Sequence, residues 1–158
     1  MTNSRPLIAA GILMGIGLGG FFDGILLHQL LQLHNMLSNW TPRTTVVNEE
    51  INMFWDGLFH AFCWISTLIA LSMLWRCILR GDVPLSGRTY VGSLWLGWGI
   101  FNLVEGLIDH ELLQVHHVYQ NDPKQFLTWD LVFLASGVLF MLIGRHFMRS
   151  ARAPESPR

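Results

Sequence analysis

Apolar residues run in four long stretches, roughly 7–30, 53–76, 90–113 and 127–148, separated by short polar segments. At 1.5 Å rise per residue, each is long enough to cross about 30 Å of hydrocarbon as a helix. No stretch alternates at period two for long enough to suggest a membrane barrel. The pattern predicts an all-α integral membrane four-helix bundle, with one domain over 1–150. A disordered tail is expected over 151–158, where Ala-Arg-Ala-Pro-Glu-Ser-Pro-Arg has the composition of a frayed end. The first stretch follows Met-Thr-Asn-Ser-Arg-Pro and could be mistaken for a signal peptide. At about 20 residues it is too long for the apolar region of one, and a small-residue cleavage site is lacking, so a retained helix is expected.

The few charges orient the spans. Arg5 precedes the first; Arg76, Arg80 and Arg88 lie between the second and third; Arg145, Arg149 and Arg152 follow the fourth. The other two loops hold only Arg43 and Lys124. The positive-inside bias puts both termini and the middle loop in the cytoplasm of a bacterial inner membrane, with the loops at 35–52 and 114–126 facing outward. Trp40, Trp55 and Trp129 fall near the outer boundary, as interfacial tryptophans do. Glycines 11, 15 and 19 recur every four residues on the first span, a spacing that lets another backbone approach closely, within the chain or in a homodimer.

A repeat carries most of the polar residues. The first span ends in FDGILLHQLLQLHN and the third in VEGLIDHELLQVHH. Asp23 matches Glu105, Gly24 matches Gly106, His28 matches His110, Gln32 matches Gln114 and His34 matches His116. The second span opens with FWDGLFH and the fourth with TWDLVFL, so Asp56 matches Asp130 while Leu134 replaces His60. The chain therefore reads as two repeated helical hairpins of the same orientation, related by a pseudo-twofold axis along the membrane normal.

Counting along the helices places Asp23 about 24 Å and Glu105 about 22 Å from their cytoplasmic starts. Asp56 and Asp130 lie in the first turns of helices entering from outside. All four acids share one outer layer with His60 slightly deeper and His28 and His110 nearer the surface. Each ionisable group inside a bilayer costs roughly 2.5–3.5 kcal/mol on insertion scales, so these must face one another, water or a cation. No Lys or Arg lies in the outer half of any span, and carboxylate plus imidazole is a metal-ligand set. Candidate metal ligands are Asp23, His28, Asp56, His60, Glu105, Asp109, His110 and Asp130. Asp23 and His28 are five residues apart, as are Glu105 and His110, so each pair either serves two layers or requires a local bulge in the helix. His34, His116 and His117 are expected outside the hydrocarbon, as outer ligands, a second site or solvated loop residues. Met53, Asp56, His60 and Cys63 form one stripe whose sulfur would favour copper, or which merely packs.

Composition adds exclusions. The chain of 158 residues is 51% hydrophobic and 13% charged, with no basic stripe for nucleic acid. Cys63 and Cys77 are about 21 Å apart on a helix and cannot bridge. No poised nucleophile and no phosphate-cradling glycine loop is present. Four readings stand open: a metal site with copper, iron or zinc; a haem held by His28 and His110; a proton or ion path; and a structural polar layer. An enzyme of this kind would be a membrane metal-dependent oxidoreductase with an open coordination position.

The paired FDGILLHQLLQLHN and FNLVEGLIDHELLQVHH segments, with FWDGLFH between them, resemble a family of small bacterial predicted membrane proteins of unknown function. The resemblance covers roughly Leu7 to Phe147. It implies a four-helix membrane fold and brings no established activity. Family members look to be encoded near, or fused with, assembly factors for haem-copper cytochrome oxidases, which implies such proteins as partners and tilts the metal toward copper.

Overall fold

The computed structural model describes residues 3–150; the predicted tail over 151–158 lies outside the described residues. Four helices are long and apolar enough to cross a membrane, and among the described residues there is no strand. Helix α1 spans Arg5–Phe22, α2 Val46–Arg80, α3 Gly87–Glu105 and α4 Phe126–Ser150. Thr45 starts α2 by accepting from the Asn48 N–H (3.2 Å), and Ser86 starts α3 by accepting from the Thr89 N–H (3.2 Å). Both satisfy amides that a helix start leaves unpaired. Gly81, at φ 68°, ends α2 in the left-handed conformation that glycine adopts at little cost.

Helix α1 packs against α2 on one side and α3 on the other, and α3 packs against α4. The first and third helices are thus central and the second and fourth flank them. Large apolar side chains such as Trp64, Trp75, Leu131 and Leu142 point outward from α2 and α4, as lipid-facing residues should.

The centre is closed by glycine. Gly11, Gly15 and Gly19 all face α3, against Ser93, the Leu94 carbonyl and Trp98 respectively. The small-residue face is therefore used inside the chain, against α3, the first of the two uses that its spacing allows. The contact is reciprocal. A Cβ on Gly15 would come 2.0 Å from the Leu94 oxygen, and a Cβ on Gly97 would come 2.0 Å from the Ile12 oxygen.

At their C-terminal ends α1 and α3 widen into π-helical turns, Asp23–Leu30 and Gly106–Leu112. The i→i+5 bonding brings residues five apart onto one face. Asp23 thereby meets His28, and Glu105 meets His110, so of the two readings of the spacing the local bulge is the one found. Each turn ends alike. Leu31 N–H donates to Leu26 and Leu113 N–H to Ile108 (both 2.8 Å), after which Gln32 (φ 51°) and Gln114 (φ 49°) turn the chain back. A non-glycine residue in this left-handed region costs about 1–2 kcal/mol. Gln32→Gly and Gln114→Gly should each raise the thermal midpoint in detergent, by up to about 1 kcal/mol of stability after the added unfolded-state entropy of glycine. A lowered midpoint would mean that the glutamine side chains hold the turn.

Candidate metal centre

Beyond the two turns, the loops at 31–45 and 113–122 fold inward over the bundle and grip one another. Asn39 N–H donates to the Val115 carbonyl (2.9 Å), and Gln120 N–H to the Leu33 carbonyl (3.1 Å). His34 Nδ1 donates to the Val118 carbonyl (2.9 Å), and His116 Nδ1 to the Met36 carbonyl (3.1 Å). Each imidazole is anchored by the other loop. Their rings stack at the middle, with centroids 4.6 Å apart and planes 9° apart. His28 meets the His34 ring edge-on at 4.4 Å, and His110 meets the His116 ring at 4.8 Å. Four histidine rings form one buried cluster.

Of the three readings open for His34, His116 and His117, burial excludes the solvated one. They are 1%, 0% and 9% exposed, so they are not solvated loop residues. The reversals at Gln32 and Gln114 tuck the loop backbone under itself and aim the side chains inward. Burial, with His116, His28 and His110 around it, holds the His34 imidazole well below its usual pKa and so neutral, the form that binds metal.

Two acids stand behind the cluster. Asp56 Oδ1 accepts from His28 Nδ1 (2.9 Å) and from the Met36 N–H (2.8 Å). Its other oxygen accepts from Gln29 (3.0 Å) and Asn35. Asp130 accepts from the Val118 N–H (3.0 Å) and from His117 Nδ1 (2.7 Å), and its Oδ1 stands 3.4 Å from His110 Nδ1. These carboxylates tie the outer loops to α2 and α4 and orient imidazoles from behind. His117 completes this outer ring and stacks on Phe126 at 4.0 Å.

Two acids stand in front. Asp23 Oδ2 lies 3.1 Å from His28 Nε2. Glu105 Oε1 lies 2.9 Å from His110 Nε2 and 3.0 Å from His116 Nε2. Only the His116 contact has hydrogen-bond alignment; His28 Nε2, His110 Nε2, His34 Nε2 and Glu105 Oε2 are buried with no hydrogen-bond partner. Asp23 is one methylene shorter than Glu105. Glu105 spans two histidines, whereas Asp23 reaches only His28 and leaves His34 Nε2 alone.

Among the described residues, the ligand atoms of His28, His34 and His116 converge, as do those of Glu105, His110 and His116, each set within 4.8 Å. Of the residues expected from sequence, Asp23, His28, Glu105 and His110 therefore line the cluster, and Asp56 and Asp130 stand behind it. Asp109 is half-buried beside Glu105, at the edge of a groove. His60 is not in the converging sets: its Nε2 is buried where a Cβ on Gly24 would come within 2.3 Å, and its ring lies by Phe21 and Phe59. The sulfur stripe also dissolves, since Met53 is 67% exposed while Cys63 is fully buried against Gly20. Asn35 was missed by sequence reasoning. The signal was present, because Asn35 follows His34 as His117 follows His116, and both bind the acid of the next helix.

The model for the family described as "Predicted membrane protein (DUF2243)" matches residues 10–151. The chain belongs to this family. The DUF2243 match takes in both π turns, both loops and every histidine of the cluster, as the motif resemblance implied. Its description assigns membrane location and no activity. No curated protein and no solved structure matches the chain.

Proposed function

We propose that this DUF2243 protein binds a transition metal through His28, His34, His110 and His116, with Asp23 and Glu105 as carboxylate ligands. One observation carries the reading. His28, His110 and His116 each have an acceptor oxygen near both ring nitrogens, although a neutral imidazole has one proton to donate. An ion on the Nε2 side removes the conflict, leaving Nδ1–H for the carboxylate or carbonyl behind, the arrangement usual for metal-bound histidine. The front contacts of 2.9–3.1 Å also have the length of an edge between two ligands of one ion. Two atoms each about 2.0–2.1 Å from a metal stand roughly that far apart at a right angle.

Imidazole with carboxylate suits copper, iron or zinc. The sulfur argument for copper has gone with Met53 and Cys63. The resemblance to proteins linked with haem-copper oxidase assembly makes copper the first ion to test and such assembly factors the first partners. A haem between His28 and His110 has less support, since His34 and His116 fill the space between those rings. We place the site at the outer face of a bacterial inner membrane with both termini cytoplasmic. The support is that Arg5, Arg76, Arg80, Arg88, Arg145 and Arg149 all lie at the helix ends remote from the histidine loops. The two-hairpin reading is supported by the reciprocal Gly15–Leu94 and Gly97–Ile12 contacts and the exchanged His34 and His116 anchors.

The test is elemental analysis and metal titration of detergent-purified protein. Wild type should carry metal in fixed stoichiometry, and Asp56→Asn with Asp130→Asn should weaken affinity about 10- to 100-fold by disturbing the groups that orient His28 and His110. No metal after supplementation with copper, iron and zinc in turn would sink the proposal; a Soret band would replace it with haem.

A further inference from the structure

Helices α2 and α3 both pack on α1 but not on each other, which leaves a groove between them open to lipid. Ile16 of α1 is its floor, Phe59 and Phe62 of α2 one wall, and Ile100 and Val104 of α3 the other. Its volume is about 340 Å³, within the roughly 300–1,000 Å³ of small-molecule sites. Acyl chains could occupy any such cleft, but this one ends on two carboxylates, Glu105 and Asp109. Glu105 Oε1 is engaged by two imidazoles, whereas its Oε2 is buried and has no partner. A buried acceptor left unpaired is costly, so a donor arriving along the groove would be well received.

The geometry points to a lipid-soluble hydroxyaromatic molecule of the hydroquinone class, its ring between Phe59 and the α3 wall and its hydroxyl donating to Glu105 Oε2. Three features select that chemistry. The walls are apolar and aromatic, which suits a flat ring. What Glu105 Oε2 lacks is a single hydrogen bond, which a neutral O–H supplies without carrying a charge along an apolar groove. The matching groove on the other side, between α1 and α4, holds Asp23 but carries Leu27 where this one has Asp109. Asn102 and Ser136 line that groove too but are bonded to each other, so of these two grooves only the first ends on a pair of carboxylates. The site goes beyond metal binding and needs no ion in order to hold its guest.

Titration of nanodisc-embedded protein with decylhydroquinone under argon, before and after chelation, tests this, with the dimethyl ether of the same compound as the donor-free control. The ether should bind at least tenfold more weakly. Ile100→Trp, which fills the groove, should weaken hydroquinone at least tenfold, and Val104→Phe should do the same should the tryptophan disturb folding. Leu18→Trp, at the matched position of α1, should leave binding within twofold. Equal binding of ether and hydroquinone, or full binding in both filled variants, would overturn the assignment and leave the groove to lipid chains. Loss of hydroquinone binding with metal content intact would remove the groove's role alone, and absence of metal with binding intact would remove the metal reading alone.

Discussion

Replacing His34 and His116 together by alanine should reduce metal content from a fixed stoichiometry to background, whereas His60→Ala should leave it unchanged. His116 belongs to both converging sets, and His34 Nε2 is buried with no hydrogen-bond partner. The two rings stack at the middle of the cluster, so their removal takes half of its imidazoles. His60 lies apart, against Gly24, and contributes nothing to those sets. Metal analysis of the purified variants decides it. Retained metal in the double variant, or loss in His60→Ala, would move the site away from the loops. Thermal midpoints of the metal-free proteins should accompany the analysis, because an alanine in place of either ring opens a cavity that itself costs stability.

The second large effect is structural. Gly97→Ala should destabilise the protein by about 3 kcal/mol or more, toward the upper end of what overpacking costs. The added methyl would meet the Ile12 carbonyl at 2.0 Å, and a backbone oxygen cannot rotate aside as a side chain does. The helices would have to part, taking their outer ends and the front carboxylates with them. Gly57→Ala is the matched control. Nothing lies within 4 Å of the position, so alanine there should stabilise α2 by about 1 kcal/mol through helix propensity. Thermal unfolding in one detergent, followed by circular dichroism, compares the two. Similar midpoints would show that α1 and α3 do not depend on contact at this crossing.

The contrast between these sites shows what the sequence displayed openly. Four long apolar stretches and a layer of acids are visible because lipid imposes a simple demand on every residue facing it. The five-residue spacing of Asp23 to His28 and Glu105 to His110 even signalled a departure from the regular helix, and the π turns are that departure. For the loop histidines a solvated reading stands beside the two ligand readings, because a polar loop beyond a span ordinarily meets water. Their burial follows from Gln32 and Gln114 in a backbone conformation that glutamine seldom adopts, and from anchors on the opposite loop. Neither leaves a local pattern. His60 stands apart from the converging sets for a related reason: sharing a face with Asp56 fixes its direction along α2 but not its neighbour, which is Gly24. The inequality of Asp23 and Glu105 was plain to read, yet its effect on His34 needed distances.

The anchor between His34 and Val118 joins positions 84 residues apart. A ribosome that has delivered the first two helices has therefore supplied one donor nitrogen with nothing to hold it. The cage closes only once the chain through Asp130 has emerged and the fourth crossing is seated. The four imidazoles can therefore come together only after both repeats have been made, and the first repeat alone cannot form the cluster.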